Sequence, residues 1–238
     1  MTWETILAVT LVMTASALLQ GAVGFGLGLI AIPFLVHLDL RYVPAPVLIA
    51  ALTLHLLVYR RDRRGVDTSG LKLLLGGRIV GTIPAAALLA WLPSDSMKLL
   101  LGIVVLAGAA MTALGPERNP TRAAFFGAGA ASGFMATVAG LGGPPVALIY
   151  QRAAGLRLRG TLAAYFIVGS VVSLVALAAV GKLTREELRL STLLIPGTVL
   201  GYLLSHRAAA YLDGGHTRKA VLAASALAAL SVIATVFF

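Results

Sequence analysis

The chain has 238 residues, of which 59% are hydrophobic and 12% charged, with a net charge of +10 and no cysteine. Soluble domains run near about 25% charged, and the mean hydropathy of +0.94 points away from that class as well. The missing cysteines exclude disulfides, thiol catalysis and thiolate metal sites, and the basic residues sit mainly in short loops between apolar runs, which is how membrane proteins set orientation rather than how they bind nucleic acid.

In chain order the apolar segments are 5–24 with 26–38, 44–59, 71–91, 96–114, 123–140 with 144–151, 160–181, 188–205 and 218–238. A helix needs about 20 apolar residues to cross a bilayer core, so these read as membrane segments. The clearest, 97–114 and 220–238, hold no acidic residue. The opening Met1-Thr2-Trp3-Glu4 lacks the basic region of a signal peptide, so the first helix is expected to stay in the mature protein. Linkers are short, and no soluble domain is expected.

The chain repeats itself. A shift of 116 residues lays Ala15-Ser16 on Ala131-Ser132, Gly24-Phe25-Gly26 on Gly140-Leu141-Gly142, Ala31 on Ala147, Leu40-Arg41 on Leu156-Arg157 and Gly81-Thr82 on Gly197-Thr198. Internal duplication is a recurrent plan among transporters. The expected units are an N-terminal membrane repeat, 1–117, and a C-terminal membrane repeat, 118–238.

Charge decides how the halves are related. If each glycine-rich segment crosses the membrane once, the halves are parallel and the two faces hold ten and eight basic loop residues. If each folds back as a hairpin, the second half inverts and the faces hold thirteen and five. Positive residues concentrate on the cytoplasmic side, which favours inversion. The fold class is therefore an all-α membrane protein of two homologous halves, read as inverted repeats, each with a glycine-rich broken or re-entrant helix followed by three transmembrane helices. The loop holding Arg60, Arg61, Arg63 and Arg64 falls in the cytoplasm, and both termini are periplasmic.

Two segments carry the functional reading. One is Gln20-Gly21-Ala22-Val23-Gly24-Phe25-Gly26-Leu27-Gly28, and the other is Thr137-Val138-Ala139-Gly140-Leu141-Gly142-Gly143-Pro144-Pro145. Glycine permits backbone conformations that interrupt a helix, and proline suits the first position of a new one. An interruption in lipid is tolerated only where protein buries it or water reaches it. Two at matching places point to a transporter's binding site, because the amino ends of the new half-helices favour anions. Close helix packing is the other reading, and Gly24 and Gly28 fit its spacing.

These motifs resemble those of the TauE/SafE membrane proteins, sulfite exporters and their relatives. Gly24-Phe25-Gly26-Leu27-Gly28 with Pro33, and Gly140-Leu141-Gly142-Gly143-Pro144-Pro145, look like the family's two glycine-rich motifs, and the basic stretch 59–64 looks like its loop after the second span. Gly81 and Gly197 fall where the family has glycines in a later helix. The first motif here lacks the family's commoner run of three glycines, and proline replaces the last glycine of the second. The resemblance implies export of sulfite or an organosulfonate.

Among single residues, Arg78 lies near the middle of 71–91 and reads either as a positive charge facing an anion path or as a structural pairing with a backbone carbonyl. His55 reads as a proton carrier, a donor to substrate, or an interhelical hydrogen bond. Gln20 and Thr137 adjoin the two segments. The substrate-binding set is Gln20, Gly24, Phe25, Gly26, Gly28, His55, Arg78, Thr137, Gly140, Gly142, Gly143 and Pro144, with no catalytic residue, metal or cofactor. Pro84 and Pro196 are expected to kink their helices.

The function expected from all this is a secondary transporter of a small anion in the cell inner membrane, exporting sulfite or an organosulfonate. A passive anion channel, an intramembrane enzyme and a non-transporting membrane subunit are the alternatives. The expected partners are a small anion and the lipid bilayer, with no nucleic acid, and a homodimer is compatible with the sequence.

Overall fold

A computed structural model describes residues 2–114, 121–153 and 155–212. All the regular structure among them is helical: α1 (Trp3–Val23), α2 (Leu27–Leu38), α3 (Ala45–Asp62), α4 (Leu71–Trp91), α5 (Ser94–Leu114), α6 (Arg122–Ala139), α7 (Gly143–Ile149), α8 (Gly155–Ala179) and α9 (Arg185–Leu212). The apolar segment expected at 218–238 lies outside the described residues.

Local chemistry sets the ends. The Thr2 hydroxyl accepts from the Thr5 N–H at the start of α1, and Thr121 does the same for Ala124 at the start of α6. Glu186 and Glu187 stand in the first turn of α9, while Arg60 and Arg61 stand in the last turn of α3, each complementing the helix dipole. The helices run past their apolar stretches because polar ends find partners there. α8, expected from residue 160, begins at Gly155, and its Arg157 and Arg159 bond Asp67 and Asp62. Helix α4 continues through Pro84, and α9 through Pro196.

Among the described residues five helices, α1, α4, α5, α8 and α9, contain stretches long and apolar enough to cross a membrane. Their outward faces carry Ile79, Val80 and Ile83 on α4, Val168, Val171 and Val175 on α8, and Leu200, Leu203 and Leu204 on α9. Such apolar faces are stable in lipid and not in water. The protein is a multi-pass membrane protein. By contrast α2, with 12 residues, and α7, with 7, reach only about 18 Å and about 10 Å at 1.5 Å per residue, too short to cross.

Glycines bring two helix pairs into backbone contact. A Cβ on Gly77 or Gly81 of α4 would lie about 2 Å from the carbonyl oxygen of Phe126 or Ala130 of α6. One on Gly197 or Gly201 of α9 would lie 2.5 or 2.3 Å from the carbonyl oxygen of Thr10 or Thr14 of α1. Both pairs therefore run parallel. Between them, α3 packs on α8.

These pairings fix the path of the short helices. α1 begins at the end of the bundle where α9 begins, and α2 returns there, since Arg41 beyond α2 pairs with Glu186 of α9 at 3.3 Å. α6 begins at the opposite end, beside the start of α4, and α7 returns to that end, where the Tyr150 hydroxyl donates to the Ser69 carbonyl at 3.0 Å. The two helix pairs thus enter from opposite ends and point their connecting turns at each other.

Candidate functional site

The first turn is built by glycine. α1 stops at Val23, and Gly24 and Gly26 take φ values of +105° and +118°, a region that side chains disfavour. The new helix has no side-chain cap at Gly26 itself. Instead the Leu27 N–H donates to Gln20 Oε1 at 2.8 Å. That bond orients the rest of a buried chain. A backbone N–H can only donate, so Oε1 accepts and Gln20 Nε2 donates to His55 Nε2, 2.6 Å away. His55 is then the tautomer with its proton on Nδ1, which faces Ser170 Oγ at 3.4 Å. The ring of His55 also rests on Phe166, with centroids 5.0 Å apart.

The second turn follows α6, which stops at Ala139 with Gly140 at φ +72°. α7 starts at Gly143, with Pro144 and Pro145 in its first turn, where the missing N–H groups cost nothing. The Gly142 carbonyl accepts from Ser132 Oγ at 2.6 Å. The two turns touch. A Cβ on Gly28 would lie 2.9 Å from the Gly140 carbonyl oxygen, and one on Gly143 would lie 2.9 Å from the Phe25 Cβ.

Arg78 reaches this junction from α4. Only 1% of it is exposed, yet among the described residues no carboxylate pairs with it. Nη1 donates to Ser132 Oγ at 3.1 Å, while Nη2 donates to the Gly169 carbonyl at 2.9 Å and to Ser173 Oγ at 3.0 Å. The guanidinium carbon lies 5.7 Å from the centroid of the Tyr165 ring. Nε is buried without a hydrogen-bond partner, and so is the Tyr165 hydroxyl. An arginine keeps its charge inside a protein, so Arg78 brings to the junction a positive charge that no carboxylate among the described residues balances. What the orphan Nε lacks is an acceptor.

The cavity between the turns is about 20 Å³ and bordered by Gln20, Gly26, Gly28, His55, Arg78, Gly140, Gly142 and Gly143. Four other sequence-predicted residues do not border it. Gly24 lies against Arg159 and Leu162, Phe25 packs on Gly143, and Pro144 packs toward Gly108. Thr137 shares a 2.8 Å hydrogen bond with Ser173 and lies 3.3 Å from Thr82 Oγ1, one bond removed from Arg78. Sequence reading missed Ser132, Gly169, Tyr165 and Phe166. Ser132 carries a signal in the sequence, since the 116-residue shift lays Ser16 on it, but neither serine adjoins a glycine motif.

The family model described as Sulfite exporter TauE/SafE matches residues 8–232. The chain belongs to the TauE/SafE family. No curated protein and no solved structure matches it. The family is one of membrane exporters, which supports a transporter over an enzyme.

In this TauE/SafE protein a second polar cluster holds the first turn from behind. Asp62, with its side chain 4% exposed, pairs with Arg61 at 2.8 Å and Arg159 at 2.9 Å. Arg61 also donates to the Gly21 carbonyl at 2.6 Å and Arg159 to the Ala22 carbonyl at 3.3 Å. These carbonyls close α1 and have lost their helical partners, so the arginines cap the helix that leads into the turn. Nearby, Asp67 pairs with Arg157 at 2.6 Å. The bond to Arg157, with further ones from Ser69, pulls the Asp67 carboxyl down to about 2.

Proposed function

We propose that this chain is a secondary transporter that exports a small anion, sulfite or an organosulfonate, across the inner membrane. The anion binds where the two glycine turns meet. Arg78 carries the reading: a buried guanidinium with no carboxylate, an orphan Nε, and a place on the wall of that junction. A charge at mid-membrane costs about 2.5–3.5 kcal/mol on insertion scales, and a bound anion offsets that cost. The amino end of α2 faces the same cavity and adds the positive end of its dipole.

The two halves, 1–117 and 118–238, act as inverted repeats. The exchanged parallel pairs support this, α1 on α9 and α6 on α4, as does the entry of the two hairpins from opposite ends. The end bearing Arg61, Asp62, Asp67, Arg157 and Arg159 is cytoplasmic, by the excess of basic residues there. A cavity of about 20 Å³ holds little more than one water, too little for a sulfur oxyanion. The turns therefore part to admit the anion, which favours a carrier over an open channel.

The test is flux. Proteoliposomes loaded with sulfite should release it when they contain the wild-type protein and retain it when they contain Arg78→Ala. Equal release from both would remove Arg78 from the anion path.

A further inference from the structure

Among the described residues one titratable side chain besides Arg78 lines the cavity. It is His55, 7% exposed and brought to the cavity by α3. We propose that His55 is a proton site linked to the anion: protonation at Nε2 turns the Gln20 amide and frees the Leu27 N–H for the anion. This rests on the anion reading above and adds to it a coupled ion.

The hydrogen-bond chain carries the argument. With His55 neutral, its Nε2 accepts from Gln20 Nε2, and Gln20 Oε1 occupies the Leu27 N–H. A proton from water adds to the Nε2 lone pair and leaves Nδ1–H in place. The imidazolium then has two donors and no acceptor. Gln20 Nε2 can no longer donate to it, so the amide turns to present Oε1. That oxygen is the one that caps Leu27. The first N–H of α2 is thereby released into a cavity that Arg78 also lines.

Charge runs in the same direction. α1 brings Gln20 to His55, and α8 brings Ser170 and Phe166. The charged residue that lines the cavity with His55 is Arg78 of α4, and among the described residues α9 lends it no titratable side chain. Two positive charges in one small cavity repel, so the protonated state needs an anion between them. A sulfite dianion balances Arg78 and a protonated His55 together, while a monoanionic sulfonate balances Arg78 alone. Linkage makes the effect reciprocal, so the proton tightens the dianion as the dianion tightens the proton.

Calorimetric titration of the wild-type protein with sulfite at mildly alkaline pH, in two buffers of different ionisation enthalpy, counts the protons taken up. The expected result is close to one proton per bound sulfite and close to none per bound methanesulfonate. In His55→Gln, with folding checked by thermal unfolding, the uptake should vanish and sulfite should bind about 5- to 150-fold more weakly, the usual span of coupled sites. Sulfite binding to the wild type without proton uptake overturns this inference and leaves the anion site standing. Uptake that persists in His55→Gln overturns it too, because the proton then rides on the anion or another group. Absence of any sulfite binding to the wild type overturns the proposed function itself, and this inference with it.

Discussion

Arg78 and Ser132 stand 54 residues apart in sequence, and the serine hydroxyl joins the arginine to the second turn: it accepts from Arg78 Nη1 at 3.1 Å and donates to the Gly142 carbonyl at 2.6 Å. The guanidinium is therefore held against the turn through a neutral hydroxyl, and its charge is not cancelled. Arg78→Ala should abolish sulfite binding, while Arg63→Ala, at an exposed position in the short 3-10 helix after α3, should leave it near wild type. Arg78→Lys should recover little, because an ammonium lacks the planar fork that spans Ser132 on one side and Gly169 with Ser173 on the other. Calorimetric affinity for sulfite in the three variants checks this. Equal losses at Arg78 and Arg63 would return Arg78 to a structural role.

Gly142 is the position where added bulk meets the anion path most directly. Its φ of −100° is one that any residue adopts, so substitution strains no backbone. A Cβ there would lie 2.8 Å from Arg78 Nη1, 2.9 Å from Ser132 Oγ and 3.0 Å from the Ala136 Cβ, and the two closest of these are side-chain ends that can rotate away. Gly142→Leu should thus fold and express while flux in proteoliposomes falls to background. Gly28→Ala should be harsher on folding, since its Cβ would press within 2.9 Å of the Gly140 backbone carbonyl. Unchanged flux in Gly142→Leu counts against a site at this turn.

The turns were legible in sequence because glycine and proline act locally: Gly24, Gly26 and Gly140 take backbone angles that few other residues accept, and Pro144 opens a helix. The partners of Arg78 were not legible, since Ser132, Gly169 and Ser173 reach it from helices far along the chain and small residues are common throughout. The 116-residue shift shows a related limit. It lays Gly81 on Gly197, whereas in the packing Gly77 and Gly81 meet Phe126 and Ala130 as Gly197 and Gly201 meet Thr10 and Thr14. Glycines four apart look alike one helical turn out of register, and only their contacts on α6 and α1 separate the two alignments.

That packing yields a stability contrast within one helix pair. Gly81→Ala drives a methyl to within 1.9 Å of the Ala130 carbonyl oxygen, and overpacking of this kind costs about 1–3 kcal/mol or more. Gly127, on the neighbouring helix, has nothing within 4 Å of its Cβ position. There the same substitution should stabilise by up to about 1 kcal/mol, the helix-propensity difference between the residues. Thermal unfolding in detergent should lower the midpoint for Gly81→Ala and hold or raise it for Gly127→Ala.

Asp67 and Arg157 make the stability depend on pH at the acid end. The folded carboxyl titrates at about 2, below its ordinary value of 3.8. A carboxyl depressed by folding stabilises the native state above its unfolded value and loses that contribution as pH falls through its folded one. The contribution is therefore complete above about pH 4 and gone near pH 2. It is small, because the Arg157 side chain is 64% exposed and water screens the pair. Asp67→Asn should unfold at a lower temperature than wild type at neutral pH, with the difference closing between pH 4 and pH 2. A difference that stays constant over that interval would show that ionisation of the Asp67 carboxyl does not carry the effect.

Asp62 should behave differently, because both of its arginines are largely buried. Their side chains are 15% and 9% exposed, and that of Asp62 is 4% exposed. Removing one partner of a buried ionic group leaves charge without compensation, at a cost of about 3–5 kcal/mol. Asp62→Ala leaves Arg61 and Arg159 facing each other while they still hold the Gly21 and Ala22 carbonyls. The repulsion falls on the end of α1, so the first turn should loosen before the bundle does. Hydrogen exchange at residues 21–27 in Asp62→Ala should rise by more than exchange in the α4–α6 pair, and the unfolding midpoint should drop. Uniform loss of protection across the bundle would mean that the cluster supports the whole fold and does not hold this turn in particular.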